Sequence, residues 1–162
     1  MNAERGFLSA LLAAARALPE RLARLAGFPP RRYCVTWPEG LDRARAGRRA
    51  EEVAASWLRK RGCRMVSRNF RCRGGELDLV VDDDGALVFV EVKYRKNREF
   101  GRAEEAVDSR KRARILRAAK LYLAKLGPRQ PKCRFDVVAV EAGGRGMVEI
   151  RRIRDAFRPG WD

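Results

Sequence analysis

Apolar residues recur at two different periods along most of the chain. In Gly47–Arg61 they return every three to four residues, and the pattern stops at Gly62, which predicts an amphipathic helix that ends at a glycine. Ala103–Leu126 has the same period and stops before Gly127. This longer segment therefore predicts a second helix.

Five shorter segments have the features of β-strands, because polar and apolar residues alternate in them or β-branched and aromatic residues dominate. They are Arg64–Arg71, Glu76–Asp82, Ala86–Tyr94, Phe135–Glu141 and Met147–Ile153. The second and third are joined by Asp83-Asp84-Gly85, which is typical of a tight hairpin, so these two strands are expected to be antiparallel neighbours. The predicted order is α-β-β-β-α-β-β, an α/β fold.

The N-terminal part of the chain has a different composition, rich in Ala, Leu and Arg. Its most apolar run, Phe7–Ala15, has nine residues, whereas a membrane-spanning helix needs about 20. The helical pattern continues to Leu25 with an interruption at Pro19, which favours a basic amphipathic helix followed by a linker. A cleaved export signal and a helix that holds the protein at a membrane surface are the alternatives. We therefore expect an extension at 1–45, no transmembrane segment, and a folded domain at 46–162.

The chain is strongly basic: 37 Lys and Arg against 21 Asp and Glu give 162 residues a net charge of +16. An excess of this size favours a polyanionic partner, first nucleic acid and second an anionic membrane surface. The basic residues of the second helix and of the loop after the third strand are candidate phosphate contacts, with solvated surface charge as the alternative. They are Arg95, Lys96, Arg98, Arg110, Lys111, Arg114 and Arg117.

Two residue types limit the chemistry that is open to this chain. It contains no histidine, which excludes Ser-His-Asp and Cys-His catalysis, so any reaction must rely on carboxylates, lysine and water. Its four cysteines form no Cys-x-x-Cys pair, which argues against a zinc site, and scattered thiols are typical of a reducing cytoplasm. They are Cys34, Cys63, Cys72 and Cys133.

Three charged residues stand out within the predicted strands. Glu91 and Lys93 lie two apart in the most apolar strand, so they share one face at roughly 6.5–7 Å along the strand. Asp78 interrupts the neighbouring strand, and a symmetric hairpin places it about one cross-strand spacing from Glu91. Burial of such charges is costly unless a partner or metal compensates.

This trio has the composition that metal-assisted phosphodiester hydrolysis requires. Asp78 and Glu91 can bind a hard cation, Mg²⁺ in the first place and Mn²⁺ as the alternative, while Lys93 acts on the attacking water and on the phosphate charge. No small-molecule cofactor is expected. The alternative interpretation is a cross-strand salt bridge on a solvated sheet face.

Two further acids are secondary candidates for the same site. Glu51 is either an acid at the N-terminus of the first helix, stabilised by the helix dipole, or part of a metal's ligand shell. Glu76 lies two residues from Asp78 and either assists a second metal ion or pairs with a nearby arginine.

The sequence resembles the PD-(D/E)xK nuclease superfamily, which includes archaeal Holliday-junction resolvases, and more closely the bacterial YraN family of predicted endonucleases. The resemblance covers nearly all of Gly47 to Phe157. The residues that carry it are Gly47, Glu51, Ala54, Leu58, Gly62, Asn69-Phe70-Arg71, Gly75–Val80, Leu87–Lys93, Arg95, Ala106-Val107, Lys111, Tyr122-Leu123, Arg134–Val138 and Ala156-Phe157.

The resemblance implies a restriction-endonuclease-like core, a central mixed five-stranded sheet flanked by helices. It assigns metal binding to Asp78 and Glu91, the catalytic lysine to Lys93, and a place in the same pocket to Glu51. Two departures leave the trio intact: Ala50 stands where the family usually has glycine, and Leu77 stands where a proline often precedes the first acid.

The function that the resemblance implies is a cytoplasmic, Mg²⁺-dependent endodeoxyribonuclease that acts on branched or damaged DNA. Because junction resolvases generally work as dimers, a homodimer is compatible with it. The alternative is a nucleic-acid-binding or adaptor module that keeps the nuclease fold without hydrolysis.

Overall fold

The computed structural model describes residues 35–96, 108–128, 131–143 and 147–158. In these ranges the elements follow the predicted order α-β-β-β-α-β-β. They are α1 (Arg43–Arg59), β1 (Arg64–Cys72), β2 (Gly75–Asp83), β3 (Ala86–Arg95), α2 (Ser109–Lys125), β4 (Cys133–Gly143) and β5 (Met147–Phe157). Helix α2 begins at Ser109, six residues after the predicted start at Ala103, because Asp108 is extended and its carboxylate caps the helix by accepting the Lys111 N–H at 2.7 Å. Residues 103–107, Arg98 and most of the predicted extension lie outside the described residues.

Helix α1 begins at Arg43, four residues before the predicted start. The cause is Asp42, whose carboxylate accepts the Arg45 N–H at 2.8 Å and caps the helix. Upstream, Val35 and Trp37 pack against the core, and the Trp37 ring stacks on Tyr94 with 4.7 Å between ring centroids. The packed chain thus includes residues before position 46, and the separate extension stays a prediction.

The five strands form one mixed sheet in the order β1-β2-β3-β4-β5. Strand β3 is parallel to β4, and the other neighbouring pairs are antiparallel. The predicted hairpin between β2 and β3 is present: Asp83 pairs with Ala86, and Asp84 and Gly85 form the turn with φ of 59° and 79°. Positive φ at both turn residues matches the right-handed twist of the strands.

The two helices cover opposite faces of the sheet. On one face, α1 contributes Trp57 to a core with Val88 and Val90 of β3, here called the α1-side core. On the other, α2 contributes Ile115 to a core with Phe89, the α2-side core. Because side chains alternate along a strand, Glu91 and Lys93 follow Phe89 on the α2 side of the sheet.

Strand β2 changes faces at Asp78. Leu77 packs in the α2-side core and Leu79 in the α1-side core, although residues two apart in a regular strand share a face. On β1, Asn69 lies opposite this point with φ of 52°, and the pairing of β2 with β3 ends at Leu79 and Val90. Strands β2 and β3 therefore separate at Asp78.

A second set of charges lies at the hairpin end of the sheet and is fully paired within the protein. The buried Asp136 carboxylate accepts from Arg134 Nε at 3.1 Å and from Arg152 Nε at 2.8 Å. Both arginines also bind Asp83. Both carboxylates have guanidinium partners within the protein, which is the compensation that buried charges require, and we interpret this network as structural.

Helix α2 rests directly on β2 at Gly75. A Cβ at this position would lie 2.1 Å from the Arg114 carbonyl oxygen and 3.1 Å from Ala118 Cβ. The absence of a side chain at Gly75 therefore sets the distance of α2 from the sheet. In the described ranges, no helix combines the length and apolar character that crossing a membrane requires.

Replacement of Gly75 by alanine should destabilise the protein by about 1–3 kcal/mol, because the new methyl group has no space beside the Arg114 carbonyl group. Gly47→Ala is the matched control: nothing lies within 4 Å of its Cβ position in α1, so it should gain up to about 1 kcal/mol. Urea unfolding measures both effects. Equal stability of the two variants would contradict the close contact.

Candidate active site

Asp78, Glu91 and Lys93 meet where β2 and β3 separate. The Glu91 side chain is 4% exposed, and its Oε1 atom lies 2.8 Å from Lys93 Nζ. A second ammonium group, that of Lys111 on α2, lies 3.3 Å from the same oxygen. Two cations thus share one carboxylate oxygen in a place that solvent hardly reaches.

The other carboxylate oxygen of Glu91 has a different environment. Glu91 Oε2 is buried and has no hydrogen-bond partner among the described residues. An unsatisfied buried oxygen is costly, and for a carboxylate the cost is higher than for a neutral group. The oxygen is therefore available to a ligand that brings a positive charge or a hydrogen-bond donor.

Asp78 lies close enough to Glu91 for the two charges to interact. Burial, and next the charge of Glu91, raise the pKa of Asp78 to about 7. One Asp78 oxygen, Oδ2, accepts the Val92 N–H at 2.8 Å, which lowers the pKa in part and fills the gap in the strand ladder. With its pKa near 7, this carboxyl group is present in both protonation states around neutral pH.

Lys111 occupies a place that the sequence did not predict. Its place among the basic residues of the second helix predicted a phosphate contact, whereas its half-buried ammonium group lies 3.3 Å from both Glu76 and Glu91. Burial alone lowers the pKa of Lys111, but the charges of Glu91 and Asp78 outweigh this effect and raise it. The sequence does contain an indication of this position, because Lys111 lies four residues before the buried Ile115 and therefore on the inward face of α2.

The two secondary acids lie at the edge of this site. Because α1 begins at Arg43, Glu51 falls in the third turn, so its interpretation as an N-terminal helix acid is wrong. Burial raises the pKa of Glu51, and the charges of Glu76 and Glu91 reach it. Glu76 contacts Lys111 at 3.3 Å and an arginine, Arg71, at 3.9 Å. Metal binding by either acid stays a prediction.

The carboxylate oxygens of Asp78 and Glu91 fit Mg²⁺ better than a metal ion whose ligands must all come from the protein. In the part of the chain that the structure describes, no group of three or more His, Cys, Asp or Glu side chains is placed to hold a metal ion. Mg²⁺ commonly takes one or two protein carboxylates and fills its other positions with water and phosphate oxygens. Asp78 and the open oxygen of Glu91 meet that smaller requirement.

The predicted phosphate-binding residues are spread over two elements. Lys96, Arg110, Arg114 and Arg117 are exposed, and Arg95 is half-buried. Two arginines on β1 were missed: the charges of Arg68 and Arg71 reach Glu51, and Arg71 also lies beside Glu76. Single exposed arginines in a basic chain carry no sequence signal that separates them from other surface charges.

These features define an α/β protein in which a mixed five-stranded sheet carries a buried pair of acids and two lysines at a break between two strands. The chain belongs to the uncharacterised protein family UPF0102, which matches residues 50–140. That range includes Asp78, Glu91, Lys93 and Lys111.

Individual members of the family match over most of their length. A UPF0102 protein of Symbiobacterium thermophilum is 50% identical over 113 residues, 70% of this chain and 96% of the relative. One from Pelotomaculum thermopropionicum is 47% identical over 112 residues, 68% of this chain and 93% of the relative. One from Nitrosococcus oceani is 44% identical over 113 residues, with shares of 69% and 90%.

The raised pKa of Asp78 predicts a specific dependence of stability on pH in metal-free protein. Between about pH 4 and pH 7 the folded chain keeps a proton that the unfolded chain has released, so the wild type loses stability as pH rises through this window. Asp78→Asn lacks this loss. Its Tm should therefore rise relative to wild type by several degrees between about pH 4 and pH 8.

Asp82→Asn is the control for this measurement, since the contact with Arg64 lowers the pKa of the exposed Asp82. This variant should not gain stability relative to wild type over the same window. Thermal unfolding in EDTA, followed by circular dichroism, measures all three proteins. Parallel curves for wild type and Asp78→Asn would contradict a raised pKa.

Proposed function

We propose that this protein is a metal-dependent nuclease that hydrolyses phosphodiester bonds in DNA. The observation that supports this most strongly is the state of Glu91: two ammonium groups lie on one oxygen, and the other is buried without a partner beside Asp78. A salt bridge on a solvated sheet face does not account for this arrangement, because the Glu91 side chain is only 4% exposed.

Asp78 and Glu91 are the residues that would hold the Mg²⁺ ion, with Mn²⁺ as a substitute. When bound, the ion supplies Lewis-acid polarisation of the scissile phosphate and lowers the pKa of a water molecule. Asp78, with its pKa near neutrality, gives up its proton there at small cost. Glu91 presents Oε2, the oxygen that its lysine partners leave open.

The two lysines have different roles in this proposal. Lys93 is 26% exposed, so its ammonium group can reach the pocket opening and donate to the attacking water or to a phosphate oxygen. Lys111 is tied to Glu76 and Glu91, which keeps Glu91 Oε1 occupied and the orientation of the carboxylate fixed. Lys111 is therefore a positioning residue.

The resemblance described above supports the same assignment. An acid on β2 followed by Glu-x-Lys on β3 is the pattern of PD-(D/E)xK nucleases and of the YraN family, and the net charge of +16 favours a nucleic-acid substrate. Branched or damaged DNA as the preferred substrate, a homodimer and a cytoplasmic location follow from that resemblance and from composition, and they stay predictions.

Purified protein should nick supercoiled plasmid or cut four-way DNA junctions when Mg²⁺ or Mn²⁺ is added, and EDTA should stop the reaction. Glu91→Ala and Lys93→Ala should each lower the rate by roughly 10²-fold or more, because the first removes a metal ligand and the second removes a donor to the attacking water or the phosphate. Gel electrophoresis of the products measures this.

Glu52→Gln is the matched control, since Glu52 is an exposed acid of α1 paired with Arg49 at 3.0 Å. It should cut at the wild-type rate. Undiminished cutting by both site variants would point to a contaminating nuclease and reject the proposed site.

A second candidate function is a nucleic-acid-binding module that does not hydrolyse its ligand. The observation that favours it is the net charge of +16, which supports binding to nucleic acid whether or not a metal ion is held. Salt-sensitive DNA binding that is indifferent to Mg²⁺ and survives Asp78→Asn, together with absence of cutting, would establish this function in place of the nuclease.

A further inference from the structure

Four arginines surround the turn between β1 and β2. Arg71 and Arg73 come from the end of β1 and the turn itself, and Arg114 and Arg117 come from the facing part of α2. They are called the turn arginines below. All four are exposed, and the turn lies next to Glu76, whose carboxylate borders the acid site.

Contacts at the two turn glycines bring the two elements that carry these arginines together. At Gly75, the α2 backbone is so close that a Cβ would lie 2.1 Å from the Arg114 carbonyl oxygen. At Gly74, the Arg117 side chain lies across the turn, and its Nη1 donates to the Gly74 carbonyl oxygen at 3.4 Å. The turn arginines therefore occupy defined positions on two elements in contact.

Among the described residues, the turn arginines have fewer carboxylate partners than the arginines at the hairpin end of the sheet. Arg71 is 79% exposed and lies 3.9 Å from Glu76. Within the described ranges, no carboxylate pairs with Arg73, Arg114 or Arg117. Around the hairpin, by contrast, Asp83 alone contacts three arginines. Several exposed positive charges on two contacting elements make the local potential positive, which favours a polyanionic ligand.

We propose that the turn arginines bind the phosphate backbone of a nucleic acid and hold it beside the site of Asp78 and Glu91. The inference rests on the proposed function and deepens it, since it names the surface that positions the substrate. The turn arginines lie close to the acid site, because Glu76 contacts both Arg71 and Lys111, and Lys111 also contacts Glu91. Guanidinium groups match phosphate oxygens in geometry as well as in charge.

A nucleic acid fits this surface better than an anionic membrane. Membrane-surface binding normally combines basic residues with exposed large apolar side chains. Among the described residues, the large exposed apolar side chains are Val66, Leu121 and Leu126, and none of them belongs to the turn. The surface offers charge and hydrogen-bond donors, which is what a phosphate backbone requires.

The test is DNA binding in EDTA, where hydrolysis does not interfere. Fluorescence anisotropy with a labelled DNA duplex compares wild type, Arg71→Ala/Arg117→Ala, and the control Arg59→Ala/Arg64→Ala. The control removes the same charge at the end of α1, which carries Arg59, and at the start of β1, where Arg64 pairs with Asp82. The turn variant should bind at least about tenfold more weakly, with a salt slope smaller by about two, since each lost phosphate contact removes about 0.9.

Several outcomes would overturn the proposal. These are absence of DNA binding by wild type, an equal loss in the control variant, or loss of binding to phosphatidylglycerol vesicles while DNA binding stays unchanged. A duplex of RNA in the same assay identifies the backbone: an equal loss with both duplexes supports recognition of phosphate alone. Arg73→Ala/Arg114→Ala keeps the test valid if the first variant fails to fold, because, unlike Arg117, neither side chain donates a hydrogen bond to the turn backbone among the described residues.

The failure of this inference and the failure of the nuclease proposal give different results. If wild type binds DNA through the turn arginines and does not cut it with Mg²⁺, the nuclease proposal is rejected and the DNA-binding surface is retained. If wild type cuts DNA but the turn variant binds and cuts equally well, the DNA-binding surface is rejected and the nuclease proposal is retained.

Discussion

Glu91 carries a carboxylate into the α2 side of a five-stranded sheet, where solvent reaches 4% of its side chain. A buried charge of this kind is compatible with the folded state only if opposite charges compensate it. Lys93 from the same strand and Lys111 from α2 provide these charges. The rest of the site follows from this requirement. Since Lys111 also contacts Glu76, the position of α2 on the sheet and the state of the acid pair depend on one another.

Much of the fold could be predicted from the sequence because its periodic signals agree with the tertiary structure. The alternation of β2 and β3 around Asp84 and Gly85 correctly indicated an antiparallel hairpin, and its register brings Asp78 towards Glu91. The start of α1 was missed by four residues because the capping carboxylate of Asp42 precedes the apolar pattern from which the helix was recognised.

The parts of the site that depend on tertiary contact could not be read in the same way. Lys111 is one of many basic residues on α2, and only the packing of that helix on β2 separates it from its exposed neighbours. Likewise, the sequence of β2 does not indicate that its side chains change faces at Asp78. This change lies opposite Asn69 of β1, which has a positive φ. Strand twist and helix docking are properties of the assembled sheet.

Gly75 has no chemical group, yet the α2 backbone rests where its side chain would be. A position of this kind limits which residues can replace the glycine, because there is no space for a side chain. Proteins that diverge from this one can alter the exposed arginines to suit a new ligand, but a residue larger than glycine at this point would push α2 outward and carry Lys111 away from Glu91. A glycine at position 75 is thus a condition for retaining the contact between Lys111 and Glu91.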